Sequence, residues 1–223
     1  LEGTGNKYRR RFKGKFQLNL EATERTLTQT DFNGFAAFQP AFYADFSELN
    51  PMLSRLLLSY EKDSLFDGAW YAYEVCNLSI PIQLLVLNGV GDSMVLNDSK
   101  MALLLAFDYS GAETTLWPLW RQHEADERKI IQSYYEKLAK GLNKTEALRQ
   151  AKIQFLEANN GIKSAPHYWA SFKLTGIDGK VAIVLRNRFP WIPVSIGAVF
   201  LLSIFALWWR RWRAKKAKRL ITD

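Results

Sequence analysis

From residue 83 the chain reads Gln83-Leu84-Leu85-Val86-Leu87, an apolar run, and then Asn88, Gly89, Val90, Gly91, Asp92 and Ser93. A run that short, ended by turn formers, suits a strand buried on both faces, as in a parallel sheet. In open α/β sheets, ligands and reacting groups gather on the loops that leave such strands. The turn at 88–93 is therefore the candidate cleft loop. It offers no stronger nucleophile than the hydroxyl of Ser93, with that of Ser99 beyond it.

Ahead of that run the pattern is broken. Residues 18–30 can form a helix, although Thr23, Thr26 and Thr28 lower its propensity. Phe35-Ala36-Ala37-Phe38 is a short apolar segment that stops at Pro40, where a central strand must end. Asn50-Pro51 turns into a second apolar run over 53–59. Phe66-Asp67-Gly68 is a turn, and 70–76 follows as a strand or short helix.

Behind it the periodicity sharpens. Asp98-Ser99 caps a helix running to Phe107, and Ser110-Gly111 ends it. Thr114-Thr115-Leu116-Trp117 is β-branched and aromatic, a strand closed by Pro118. Ile130, Ile131, Tyr134, Tyr135 and Leu138 recur at helical spacing across 124–140, and Gly141 stops that helix. Asn143 with Glu146 three residues later has capping-box spacing and starts a helix to Ala158. Residues 168–175 read as a last strand, with Gly176 and Gly179 bracketing a turn. Strand, helix, strand, helix, helix, strand predicts an α/β fold with a largely parallel sheet.

After that fold the pattern changes class. Residues 189–209 carry no charge over 21 positions, enough to cross a hydrocarbon core of about 30 Å, with Trp191, Trp208 and Trp209 as interfacial anchors. Seven cations follow within 210–219, and by the positive-inside bias they place that tail in the cytoplasm. The expected setting is a single pass through a bacterial inner membrane, with the body in the periplasm.

Charge points the same way. The formal net charge is +8, but 210–219 holds seven basic residues and 7–15 holds six. The other 17 lie within 16–188 against 20 acidic residues, so the body is slightly acidic and no nucleic acid is expected as partner. A basic tail could also attract anionic lipid, a weaker third reading of function. Cys76 is the single cysteine, which excludes an intrachain disulfide and a Cys-based zinc site. A lone Cys raises a thiol protease, although burial for packing is its commoner fate. His123 and His167 are the two histidines and lie far apart. No metal or cofactor is expected. The chain opens at Leu1 without an initiator Met, as a fragment or processed product would.

Several segments together resemble a known family. They are Asn50-Pro51-Met52-Leu53-Ser54-Arg55-Leu56, Asp67-Gly68-Ala69-Trp70-Tyr71-Ala72-Tyr73-Glu74, the strand at 84–87 and Leu103 with its helix to Gly111. Thr115-Leu116-Trp117, then Thr145-Glu146-Ala147-Leu148-Arg149-Gln150-Ala151-Lys152, then Pro166-His167-Tyr168-Trp169-Ala170-Ser171-Phe172 continue it. In this order they resemble the C-terminal half of a CHAT domain, the caspase-like module often found behind tetratricopeptide repeats in bacteria. The resemblance covers 35–177. It implies a caspase-like three-layer sandwich over 35–180, after a lead-in at 1–34 and before the span at 189–209 and the tail at 210–223. It also implies tetratricopeptide repeats upstream.

The departures bear on function. The family carries its nucleophile in a turn reading Leu-Ser-Ala-Cys-Glu-Thr-Gly, and here Val90 stands at the Cys position. Its general base is a His ending an earlier apolar strand, where this chain has Pro40 or a neighbour and no His before His123. Thiolate attack needs a sulfur with a base in reach. Cys76 falls one element too early, and His167 sits in a motif that serves packing. The expectation is a membrane-anchored, catalytically degenerate CHAT-like domain that binds or scaffolds a protein or peptide. The rival is a hydrolase working through a noncanonical nucleophile.

Overall fold

A computed structural model describes residues 23–40, 43–60, 65–87 and 98–183. The chain divides into two units, Leu1–Leu185 and Arg186–Asp223, and every described residue belongs to the first. The expected span at 189–209, the basic tail and the cleft loop at 88–93 lie outside the described residues. Among the described residues no helix is long and apolar enough to cross a membrane.

The main sheet is built around β5 (Leu84–Val86), whose three residues are all buried. It pairs in parallel with β1 (Ala37–Phe38) on one side and β6 (Thr114–Pro118) on the other, and β7 (Phe172–Gly176) closes the far edge antiparallel to β6. The largely parallel α/β sheet read from the apolar runs is therefore present, and β5 is interior to it. The apolar run over 53–59 and the strand or short helix over 70–76 contribute to a second, antiparallel sheet, which the pattern did not assemble, of β2 (Tyr43–Asp45), β3 (Arg55–Leu57) and β4 (Ala69–Tyr71). Only its middle residues, Ala44, Leu56 and Trp70, pack inward, too few to register as alternation.

Side chains of β5 alternate between two cores. Leu85 and Leu87 join Trp70, Ile80, Trp117 and Leu103, Leu104 and Phe107 of α3 (Asp98–Tyr109). Leu84 and Val86 join Leu116 and the apolar stripes of α4 (Glu124–Ala139) and α5 (Lys144–Glu157). Helices thus cover both faces of the sheet, as a strand apolar on both sides requires. Two short helices, α1 (Glu24–Thr28) and α2 (Ala72–Val75), accompany the small sheet.

Three expectations change. Of the helix read over 18–30, the described part is α1 alone, which ends once Thr30 turns its hydroxyl back onto the Thr26 carbonyl. The strand read from 168 begins only at Phe172, because Pro166 opens a 3-10 turn through Tyr168. Asn143 and Glu146 form no capping box. Asp178 reaches across instead, accepting from the Thr145 amide at 3.0 Å and from Asn143 Nδ2 at 2.9 Å, while Glu146 pairs with Arg149 at 2.6 Å. A cap supplied from 35 residues away in sequence leaves no local signature.

Glycines 141 and 176 both sit at positive φ, at 86° and 109°, but in different surroundings. A Cβ at Gly141 meets nothing within 4 Å, whereas one at Gly176 would overlap the Glu113 carbonyl oxygen and stand 2.9 Å from Thr114 Cα. Gly141→Ala is expected to cost about 1 kcal/mol, the strain of the left-handed backbone alone. Gly176→Ala, which must also separate β7 from the start of β6, should cost roughly 2–4 kcal/mol. Denaturant midpoints of the two variants, measured side by side, check the difference.

Candidate functional site

Strands β1, β5 and β6 run parallel, so their carboxyl ends share one edge of the sheet, where the loops that bind ligands in such folds emerge. Phe38 pairs with Leu85, which sets the end of β1 beside the end of β5. Pro40, two residues past β1, is buried there and brings no proton acceptor. The Leu87 amide donates to the Leu116 carbonyl at 2.8 Å, so β5 holds its register to the residue before the turn. Asn88, Gly89, Val90, Gly91, Asp92 and Ser93 lie outside the described residues.

The chain re-enters this edge at the first turn of α3. Ser99 is buried, and its Oγ donates to the Ser47 carbonyl at 2.7 Å. That hydroxyl ties α3 to the loop after β2 and meets no base among the described residues. Lys100 is 2% exposed, donates from Nζ to the Pro118 carbonyl at 3.0 Å and lies 5.5 Å from the centre of the Trp117 ring. Burial pushes its ammonium below the usual value. Beside it Leu119 N–H donates to the Ser171 carbonyl, while Ser171 Oγ and Gln122 Oε1 are buried without a hydrogen-bond partner among the described residues.

Among the described residues, none of the remaining sequence candidates is assembled into a dyad. Cys76 is half-buried, closes α2 by donating its amide to the Ala72 carbonyl and packs against the first core. It precedes Ile80, whose amide donates to Ser110 at the far end of α3, so it stands on the chain entering β5 rather than leaving it. His123 precedes α4 and is exposed. His167 is exposed and stacks on Trp120 at 6.5 Å with planes 12° apart, while the Trp120 indole donates to the His167 carbonyl at 3.0 Å. That is the packing role read for its motif. Sequence reasoning missed Lys100, because a lysine in a first helical turn reads as a solvated side chain. No periodicity marks its burial.

The CHAT domain model matches residues 10–177, three-quarters of the chain and a stretch that begins ahead of α1. This chain belongs to the CHAT domain family. It is also similar to human Tetratricopeptide repeat protein 28, 33% identical over 112 residues, which is 49% of this chain and 4% of that protein. The mouse protein of the same name is 29% identical over 112 residues with the same coverage. The chain thus spans about 4% of the length of the curated relatives it matches. A CHAT domain related to tetratricopeptide repeat proteins fits a protein-binding or scaffolding role.

A pH test isolates the lysine at the strand ends. With the folded pKa of Lys100 below 10.5, the folded state binds fewer protons than the unfolded chain between those two values. Stability contributed through Lys100 therefore rises as pH climbs through that window. Lys100→Met removes the titration, so its deficit against the parent should widen from neutral pH toward pH ~10. Urea unfolding of both proteins across that range reads the trend, and a deficit that narrows would refute the assignment.

Proposed function

We propose that this CHAT domain is a membrane-anchored, catalytically degenerate member of a caspase-like fold that binds a protein or peptide segment at the carboxyl edge of its parallel sheet. The observation that carries the reading is in the sequence, where Val90 stands four residues past β5 and Pro40 two residues past its parallel neighbour β1. Covalent catalysis at that edge needs a nucleophile on one strand end and a base on its neighbour. The matched positions supply an aliphatic side chain and an imino acid. A valine in a turn packs much as a cysteine does, so a cleft can keep its shape without its chemistry.

Full-length protein in detergent, incubated with a diverse peptide library beside a thiol-reactive inhibitor, is expected to cleave nothing. Val90→Cys alone should not restore cleavage, since a thiol of pKa near ~8.5 would lack an imidazole to take its proton. Cleavage abolished by the inhibitor and by Cys76→Ala would move the nucleophile to Cys76. Cleavage lost only in Ser93→Ala would favour a noncanonical hydrolase.

The anchor is the uncharged stretch 189–209, followed by the cations of 210–219. The proposed orientation puts those cations in the cytoplasm and the body across the membrane, which in a bacterial inner membrane is the periplasm. Upstream tetratricopeptide repeats belong to the same reading, supported by the relatives' names. A phosphatase reporter that works only outside the cytoplasm, fused after Asp223, should be inactive, and a fluorescent reporter that matures only inside it should be bright. The reverse pattern overturns the orientation.

A further inference from the structure

The outer face of the small sheet carries a half-filled pattern. Register places Tyr43 opposite Leu57, and Asp45 opposite Arg55 opposite Tyr71, all on the side away from Ala44, Leu56 and Trp70. Arg55 is seated there in full. Its guanidinium lies 5.4 Å from the centre of the Tyr71 ring, donates to the Tyr71 hydroxyl at 2.8 Å and reaches Asp45 Oδ2 from Nε at 3.0 Å and Nη2 at 2.9 Å. A flat cation on an aromatic ring with a carboxylate at its edge is a favourable seat for arginine.

Next to it the same parts recur without the cation. Tyr73 stacks on Tyr71 at 5.3 Å with planes 26° apart and is 42% exposed. Glu74 Oε1 accepts from the Tyr73 hydroxyl at 3.3 Å, and Asp67 Oδ2 accepts from the Tyr71 hydroxyl at 3.1 Å. Backbone amides hold these carboxylates in place. Ala69 N–H donates to Asp67, Tyr71 N–H to Glu74, and Gly68 N–H to Glu24. None of the three acids is in an ion pair among the described residues. Their mutual repulsion registers at Glu24, whose carboxyl is pushed up first by burial and then by Glu74 and Asp67.

We propose that this face, Tyr71 and Tyr73 with Asp67 and Glu74, docks a basic segment of a partner protein. An arginine of that segment lies against Tyr73 as Arg55 lies against Tyr71, and apolar residues beside it cover Tyr43 and Leu57. Charge complementarity favours such an occupant at this face, where Asp67 and Glu74 present carboxylates beside stacked aromatic rings. The segment does not add as a strand to β4. The outward amides of Ala69 and Tyr71 are already taken by the carboxylates, so recognition runs through side chains. The face is distinct from the strand-end turn, and its failure or success says nothing about cleavage there.

Full-length protein in nanodiscs of neutral lipid is titrated against a fluorescent 12-residue peptide alternating Arg, Ser and Leu, and against the same peptide with Glu for Arg. The Arg peptide is expected to bind and the Glu peptide not. Asp67→Asn with Glu74→Gln keeps an acceptor for each amide but removes both charges, and should weaken binding tenfold or more. Tyr73→Leu, at an exposed position whose loss leaves the core intact, should weaken it severalfold on its own. Neutralising remote acids, Glu136→Gln with Glu157→Gln, should leave it unchanged. Binding untouched by both site variants, equal loss in the remote variant, or no binding of the Arg peptide at all would each overturn the proposal.

Discussion

Strand β5 has no solvent face, and much of the fold follows from that. Leu84, Leu85, Val86 and Leu87 are each at most 1% exposed, so each contributes on the order of 1.5–3 kcal/mol through burial, but only if both faces are covered. A strand apolar on both sides cannot fix its own register by pattern, because a slip of one residue exchanges leucine for leucine. Its neighbours fix it instead. The Ala36 carbonyl accepts from Leu84, the Ile82 carbonyl accepts from Glu113, and the Leu116 carbonyl accepts from Leu87. Gly111 permits the close turn into β6, since its φ of 114° is one that residues with a Cβ rarely adopt. The central strand is thus placed by what flanks it, and the residues that leave it inherit that placement.

Two buried lysines lock the ends of this arrangement. Lys100 and Lys144 both fall in the first turn of a helix, where the helix dipole disfavours a cation. Their positions make sense only through tertiary contacts. Lys100 binds the Pro118 carbonyl at the carboxyl end of β6. Lys144 binds Thr114 Oγ1 at 2.8 Å and the Ile177 carbonyl at 3.0 Å at its amino end, with Glu113 at 3.6 Å. Burial pushes the Lys144 ammonium down, and the charges of Glu113 and Asp178 offset part of that. Each lysine converts a desolvation penalty into a fixed distance between a helix start and a strand end. Removing either partner would leave a buried group unsatisfied, which costs more than the bond itself contributes.

How much of this was legible depended on whether the signal was local. The stripes Ile130, Tyr134, Leu138 and Ala147, Ala151, Phe155 repeat every four residues, and the helices lie where those stripes predict. Strand β5 announced itself by composition and by the turn formers after it. The small sheet was legible only as an apolar run over 53–59 and a strand or short helix over 70–76, because three-residue strands with one inward side chain each do not alternate long enough to show their pairing. Its register comes from the Asp45–Arg55–Tyr71 row, a contact between three separate segments. The cap on α5 was misread for the same reason, since Asp178 acts across the fold. At the candidate edge, the sequence named the turn and the strand that feeds it. Lys100, Gln122 and Ser171 stayed invisible, because burial of a polar side chain is a property of the assembled ends and not of its neighbours in the chain.

The separation between what holds the edge and what would react there has a functional consequence. Described hydrogen bonds at the carboxyl ends include Leu87 N–H to Leu116, Ser99 Oγ to Ser47 and Lys100 Nζ to Pro118, each accepted by a backbone carbonyl. None requires a thiol or an imidazole. None of them involves residue 90, so the proposed exchange of a nucleophile for valine removes chemistry and leaves these fixing contacts in place. A site that depends on its own catalytic residues for shape could not decay in this way, because losing them would unseat the strands. On the proposed function the scaffold is indifferent to the reaction, so the domain drops covalent catalysis and still presents the same edge to a partner. Under the proposed reading, that independence is what turns a peptidase fold into a binding module.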